Sequence, residues 1–447
     1  MSIATAERFE DTATTGPAAS AGRASRVLVY GMNHSPEMAG VGRYTGEISS
    51  YLARQGAEVT VVTTPPHYPG WSVQAGHRNG YSTSEEDGLV VHRAPLVLRR
   101  RMKGIWRLIA PLSFAASSAP VVAWQVLRRR PHAVLCVEPT LFAAPVAQLV
   151  AWLAGAKTVL HVQDLEVDAA FAVGHLGSFR LLKTLGAAFE RFTLARFDRI
   201  VTISERMAEK LAEKGVPAER IAVVRNWVDL SHIHPTEGES PYRAELGYAA
   251  DDFVVQYSGN IGAKQGLDVL LEAARLLAGE PRLRFVVAGE GPVKADLEAR
   301  YGDLPNVRFL PFQPYARLNE FLALADLHAL PQDKGAADLV LPSKLGGMLA
   351  CGKRVVVTAD PGTELADFTQ GAAEIVPPGD PEALAEAIRR LAATPDDPAR
   401  AQKAAERAAL LSRTEGLAAF VAALGLKSHE SAKTAPGPEG TQVFRQE

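Results

Sequence analysis

The chain has 447 residues, 47% of them apolar and 22% charged, which is enough for two or three α/β domains with sizeable cores. Its formal net charge of −2 gives no global basis for binding nucleic acid. Cys136 and Cys351 stand far apart in apolar stretches and read as packed thiols of a reducing compartment, which excludes a disulfide framework or a cysteine-held metal.

Residues 1–24 are rich in Ala, Thr, Ser and Gly and lack the apolar core of a signal peptide, so a disordered, cytoplasmic N-terminus is expected. The run at 26–31 reads as a first buried strand. Gly40 and Gly42 follow, then an amphipathic segment at 44–55 closed by Gly56, and a second strand at 58–63. This is a β-loop-α-β unit with glycines at the carboxyl end of its first strand, where open parallel sheets bind ligands. The third glycine of a dinucleotide fingerprint is missing, and no acidic residue ends the second strand, which speaks against a nicotinamide-dependent dehydrogenase.

Further strands are expected at 89–93, 133–137, 157–162 and 199–203. The strand at 157–162 runs into Gln163 and Asp164; Asp164 reads equally as a helix cap and as a ligand contact. Between them, Arg99, Arg100, Arg101 and Lys103 open a stretch that Arg128, Arg129 and Arg130 close, with Arg107 the one charge from Gly104 to Leu127. Its length nearly spans a bilayer, but Pro111, Pro120 and the Ser-rich middle favour a helix lying on an anionic membrane face over a span. A buried helix with solvated ends is the other reading.

After Arg225-Asn226-Trp227-Val228-Asp229 a polar segment marks a domain boundary. We expect a disordered end at 1–24, a first Rossmann-like domain at 25–228, a linker at 229–241, a second domain at 242–405, helices at 406–426 that return to the first domain, and a disordered tail at 427–447. The second series has strands at 253–258, 283–288, 307–310, 326–331, 354–358 and 373–376, with helices at 267–277, 316–325 and 381–391 between and after them. The strand at 253–258 runs into Gly259, Asn260 and Lys264, the next into Gly289 and Gly291. The stretch after 326–331 carries Asp338, Pro342, Ser343 and Lys344, with Pro342 opening a helix that Gly352 ends. Free N–H groups at a helix start together with Ser343 and Lys344 make an anion site, and three phosphate-competent loops in one domain are far less accidental than one.

These residues resemble the retaining glycosyltransferases of family 4, over roughly residues 26–424, and within them the colanic-acid-type exopolysaccharide enzymes. The carrying stretches are Tyr30 to Glu37, Gly40 to Glu47, His161 to Leu165, Arg225 to Asp229 and Ala336 to Leu345. The resemblance implies an α/β fold of GT-B type, two facing Rossmann-like domains with parallel sheets. It implies transfer, with retention, from a nucleoside-diphosphate sugar to a polyprenyl-diphosphate-linked oligosaccharide, by a protein peripheral on the inner face of the cell membrane. No cofactor and no metal are implied, the sugar nucleotide being a co-substrate. Donor binding then falls to Gly40, Gly42, Asn260, Lys264, Gly289, Gly291, Ser343 and Lys344, and the catalytic carboxylates to Asp164 and Asp338. The chain departs from the family at four places. Asn260 stands where the family has arginine and Gln265 where it has lysine, Lys264 preceding it; Leu339 and Gly347 occupy the places of its two glutamates. These departures make a non-catalytic sugar-nucleotide-binding subunit the alternative.

Overall fold

The computed structural model describes residues 24–37, 40–68, 70–99, 106–139, 141–165, 180–333 and 340–425. Two sheets organise them. In chain order the first domain contains β1 (Arg26–Gly31), α1 (Val41–Arg54), β2 (Glu58–Thr63), β3 (Ser82–Glu86), β4 (Leu89–Arg93), α2 (Trp106–Arg129), β5 (Ala133–Glu138), α3 (Ala144–Ala154), β6 (Lys157–Val162), α4 (Arg180–Leu194), β7 (Arg199–Thr202), α5 (Glu205–Glu213) and β8 (Ile221–Val223). The second contains α6 (Pro241–Glu245), β9 (Phe253–Ser258), α7 (Leu267–Leu276), β10 (Leu283–Ala288), α8 (Lys294–Tyr301), β11 (Val307–Leu310), α9 (Leu318–Leu322), β12 (Leu327–Leu330), α10 (Leu345–Ala350), β13 (Arg354–Thr358), α11 (Glu364–Thr369), β14 (Glu374–Val376), α12 (Pro381–Ala393) and α13 (Pro398–Ala409); α14 (Arg413–Ala423) follows.

The strand orders are β3-β4-β2-β1-β5-β6-β7-β8 and β11-β10-β9-β12-β13-β14. All pairings are parallel except that of β3 with β4. In each sheet the order reverses beside the first strand, between β1 and β5 and between β9 and β12, so the loops after these strands diverge and leave a crevice.

The strands are continuous apolar runs because helices cover both faces. In β1, Val27 and Val29 join Ile48 and Leu52 of α1, while Leu28 and Tyr30 join Phe114 and Val126 of α2. The second sheet is covered the same way, Tyr257 and Phe285 packing with Leu271 and Ile388. Both cysteines are buried and free.

The edge strand β3 escapes the sequence reading. Ser82–Glu86 is polar and largely exposed, and pairs with β4 across Asp87 and Gly88, at φ 51° and 78°. Two successive positive φ values make the primed hairpin turn that an Asp-Gly pair favours. The helix expected to open at Pro342 begins instead at Leu345, with Lys344 as its cap, so Ser343 and Lys344 precede the first turn.

The chain crosses between the domains twice. Val228 N–H donates to Leu411 O and Arg413 N–H to Val228 O, at 2.8 and 2.9 Å, so the outgoing and returning crossings pair with one another. Helix α14 then packs on the first sheet, with Leu417, Phe420 and Ala423 beside Val27, Val29 and Val159. Phe420 is fully buried, its ring 4.8 Å from that of His161. Phe420→Ala is therefore expected to destabilise the first domain by about 3–5 kcal/mol, the range for emptying a buried aromatic site. Urea unfolding followed by tryptophan fluorescence checks this, and a shift below about 1 kcal/mol would show that α14 contributes nothing to that core.

Candidate functional site

The loop between β1 and α1 is built around a buried carboxylate. Glu37 accepts from Asn33 Nδ2 at 2.8 Å and from the backbone N–H groups of His67 and Tyr68, each at 2.9 Å. Three charge-assisted hydrogen bonds offset its burial. Gly42 is needed here: a Cβ on it would lie 2.6 Å from Glu37 Oε2 and 2.7 Å from its Cβ. Gly40 sits at φ 62° and faces the ring of Tyr68. The bare backbone of Gly42 thus first admits the protein's own carboxylate. Glu37 was not singled out from the sequence; the signal was an acidic residue in a glycine-bearing loop directly ahead of an uncapped helix start.

At the end of β6, Asp164 is exposed and Gln163 buried. Gln163 Nε2 donates to His161 Nε2 at 3.2 Å, and Asn226 Nδ2 donates to Gln163 Oε1 at 3.1 Å. This chain ties the strand end to the crossing at Trp227. Burial lowers the His161 pKa to about 3, so the ring is neutral at physiological pH. Asp338, the other predicted catalytic carboxylate, lies outside the described residues.

In the second domain, the loops after β9 and β10 stack on each other. A Cβ on Gly289 would fall 1.8 Å from Gly259 O, and one on Gly291 2.0 Å from Ile261 O. Ile261 N–H donates to Glu290 O at 2.9 Å and completes the contact. Gly259 and Gly289 have φ of 148° and 146°, which favour glycine. The loop after β12 joins them, since Gly266 lies against the Gln332 backbone and Asp333 N–H donates to Lys264 O at 3.2 Å. The structure thus brings Gly259, Gly289, Gly291 and Lys344 together. Asn260 and Lys264 are exposed at their rim, and Ser343 is exposed beside Lys344. Gly40 and Gly42 lie apart from this group, on the first domain.

Lys344 is the unusual member. Its Nζ approaches the Gly259 backbone, donates to the Tyr257 hydroxyl and lies 4.3 Å from that ring's centroid. Tyr257 Oη in turn donates to Asn260 O at 2.6 Å. Burial lowers the lysine pKa from its ordinary 10.5 to about 7 and raises that of Tyr257. Among the described residues no carboxylate pairs with Lys344. At Gly347, the place of a family glutamate, an added Cβ would meet Leu322 Cδ1 at 3.3 Å.

The first domain faces the second at α1 and the loop after β11. Partial burial raises the Tyr315 pKa, and the Arg43 charge from the opposite domain pulls it back down. A second contact closes the back of the cleft. Glu364 accepts from Arg225 Nη2 at 3.0 Å and from Arg206 N–H at 3.3 Å, and Arg206 Nη2 also donates to Gly362 O and Asp367 Oδ2 at 2.7 and 2.9 Å. Glu364 stands between the N-termini of α5 and α11, where an anion is favoured by both helices.

Two Rossmann-like domains, with stacked glycine loops and the half-buried Lys344 at the strand ends of the second, define a GT-B architecture. Solved structures share it. A sucrose-phosphate synthase from Thermosynechococcus elongatus aligns with TM-score 0.66 at 17% identity, over 90% of this chain and 98% of that one. Anabaena HepE, solved in complex with UDP and glucose, aligns with TM-score 0.62 at 17% identity over 90% and 99%. Residues 39–227 match the Glycosyl transferase 4-like domain and residues 252–394 the Glycosyl transferases group 1 domain. The colanic acid biosynthesis glycosyl transferase WcaI of Escherichia coli is 41% identical over 392 residues, 86% of this chain and 96% of that one. The D-inositol 3-phosphate glycosyltransferase of Mycobacterium tuberculosis is 27% identical over 365 residues, 76% and 70% of the two chains. The chain belongs to the family 4 glycosyltransferases, with the colanic acid biosynthesis enzyme among its relatives.

Two expectations follow. Gly289→Ala forces the two loops apart and is expected to lower nucleotide affinity at least about tenfold while costing about 1–3 kcal/mol of stability, as overpacking does; unchanged affinity by calorimetry would remove the stacked loops from the site. For Lys344, between pH 7 and about 10 the unfolded chain holds a proton that the folded lysine has released, so wild-type stability rises with pH in that window and carries the full cost of burial below it. Lys344→Met lacks the rise. Denaturant midpoints of the two proteins from pH 6 to 10 should differ most at pH 7 and below and converge towards pH 10; a constant difference would mean the amine is charged and hydrated throughout.

Proposed function

We propose that the protein is a retaining, metal-independent glycosyltransferase that moves a hexosyl or deoxyhexosyl group from a nucleoside-diphosphate sugar to a polyprenyl-diphosphate-linked oligosaccharide. It works at the cytoplasmic face of the cell membrane, in assembly of a colanic-acid-like exopolysaccharide. The observation that carries this is the stacking of Gly289 and Gly291 on the Gly259–Ile261 backbone at the carboxyl ends of β9 and β10, with the Lys344 amine against Gly259. The 41% identity to WcaI supports the polysaccharide class, and the structures of HepE with UDP-glucose support a sugar nucleotide as donor.

In this reading the donor diphosphate lies against Lys344, Ser343 and Lys264 and the backbone of the glycine loops. Lys344 exchanges its bond to the Tyr257 hydroxyl for a phosphate oxygen. The negative charge beside it restores the proton that burial has loosened, so the site is most positive when the diphosphate is leaving. The departing phosphate oxygen assists removal of the acceptor's proton on the same face of the sugar, which gives retention without a dedicated carboxylate pair. In this reading Asp164, exposed at the end of β6, meets the acceptor from the first domain.

Lys264→Ala and Ser343→Ala are each expected to weaken donor binding about tenfold or more, since a charge-assisted hydrogen bond contributes about 1.5–3 kcal/mol and neither exposed side chain fills a core. Calorimetry with UDP-, GDP-, ADP- and dTDP-sugars checks this, and wild-type affinity in both variants would sink the cradle. Gly347 and Asn260 favour the alternative of a binder without turnover. Multiple-turnover transfer of labelled sugar to a membrane extract decides between the two readings: sugar nucleotide bound but never transferred leaves only the binder.

A further inference from the structure

The helices α2, α3 and α4 lie side by side on one face of the first sheet. Helix α2 packs on it through Ala110, Phe114, Ser118, Val122 and Val126, a stripe of i, i+4 spacing that shares a core with Ala147, Val150 and Ala151 of α3. Ser118 meets the Tyr30 hydroxyl at 2.6 Å. Gln148 of α3 donates to Thr193 O of α4 at 2.9 Å, and Phe142 stacks on Phe189 at 5.5 Å. The buried-helix reading of the arginine-bracketed segment therefore holds for one side of α2.

The opposite side of this layer is apolar. Eight of the sixteen exposed large apolar side chains among the described residues belong to these three helices, including Trp124 at 62%, Leu149 at 57%, Trp152 at 76%, Leu153 at 58% and Phe192 at 53% exposed. The charge on the same layer is predominantly positive, with Asp198, beside Arg196, the exposed carboxylate at its edge. Helices α2 and α3 contain no Asp or Glu, and Glu190 of α4 is buried and accepts from Lys214 Nζ at 2.7 Å. Arg128, Arg129, Arg130, Lys157, Arg191 and Arg196 are exposed at its edges. The Arg128 guanidinium lies 5.9 Å from the Trp124 ring centroid and that of Arg196 3.3 Å from Phe192, so cations and aromatic rings share the rim. A chain of net charge −2 thus carries an aromatic face whose edges hold six exposed cations against one exposed carboxylate, Asp198.

We propose that the outer face of α2, α3 and α4 seats the protein on an anionic lipid surface, with Trp124 and Trp152 at headgroup depth, the leucines below them and the arginines on the lipid phosphates. This rests on the glycosyl-transfer reading only in its purpose, which is to bring the first domain to a lipid-linked acceptor. Tryptophan is suited to the headgroup region because it joins a large apolar ring to one N–H donor. The complementarity is what singles out a bilayer: a large apolar area with predominantly basic edges fits a surface that is apolar beneath and anionic at its rim. Helix α3 takes part as fully as α2, although nothing in its charge pattern announces it.

The test is co-sedimentation of the full chain with vesicles of phosphatidylglycerol and phosphatidylethanolamine, or of phosphatidylcholine alone. Wild type is compared with Trp152→Ser/Leu153→Ser and with Arg128→Gln/Arg129→Gln/Arg196→Gln. Wild type should bind the anionic vesicles with a blue shift of tryptophan emission. Both variants should bind at least about tenfold less while keeping the wild-type melting temperature, since every altered side chain is exposed. The arginine variant should lose its deficit in 1 M salt, where screening acts within about 3 Å. Failure of wild type to bind anionic vesicles, or binding by both variants as strong as that of wild type, overturns the proposal. So does a dimer, seen by light scattering, that Trp152→Ser/Leu153→Ser dissolves, because a second copy would then cover the face. Nucleotide affinity measured without vesicles reports on the transfer reading separately: both variants should retain it, and its absence in wild type would overturn that reading and leave this one standing.

Discussion

The site depends on the place where the chain crosses between its domains twice. A single linker would leave the two sheets free to swing; here the outgoing Val228 and the returning Leu411–Arg413 segment bond to each other, and side chains lock the pair. Glu47 of α1 accepts from Trp227 Nε1 and Arg43 Nε at 2.7 and 2.8 Å and pairs with Arg413 at 3.3 Å, while Arg413 also pairs with Asp229. The Trp227 ring meets Tyr44 edge-on at 5.3 Å, and Gly416 is bare because a Cβ would stand 2.7 Å from that indole. Exposed ion pairs contribute little individually, but these are joined to a buried indole and a buried helix, so moving the junction would break apolar packing and charge together. The distance between the glycine cradle and the first domain follows from this hub and from the shared carboxylate of Glu364.

The glycines show how one residue type serves two ends. Read as sequence, Gly259, Gly289 and Gly291 promise space for a phosphate. In the fold their first task is to let one loop's backbone rest on another's, with room at neither Gly289 nor Gly291 for a single carbon. That close stacking, with Ile261 N–H bonded to Glu290 O, fixes the two successive loops against each other at the strand ends. Gly42 makes the same trade in the first domain, where the occupant is Glu37.

What was legible in the chain follows from how each element is stabilised. Strands covered on both faces are apolar throughout, and β1, β2, β4, β6, β9, β10, β11 and β13 stand where those runs stand. Edge strand β3 is held by its hairpin turn and carries no apolar signal. The GT-B architecture and the family were readable because the glycine loops fall at fixed places in two βα series. The site was less so. Lys344 and the glycines come together, but Tyr257, which holds Lys344, is an ordinary strand residue in sequence, and Glu37 and Glu364 act through partners 30 and more than 130 residues away. Long-range pairing of polar groups leaves no periodic trace, whereas apolar burial does.

Lys344 is the charged member of the glycine cradle. A buried ammonium without a carboxylate is costly, and proteins keep such a group where something else supplies the charge. The hydroxyl of Tyr257 accepts one hydrogen bond but brings no charge, and among the described residues glycine backbone rather than an acidic side chain lies against the amine. A structural role would be served better by methionine or by an added glutamate, and the family's glutamate position at Gly347 is left bare. In the proposed reading the partly buried Lys344 amine is one half of an ion pair whose other half arrives with the donor diphosphate. A diphosphate fits, because it is dianionic, presents several acceptors in a small volume, and can occupy backbone N–H groups and an ammonium at once. In the proposed reading the stability given up by partly burying Lys344 is part of the affinity for the donor.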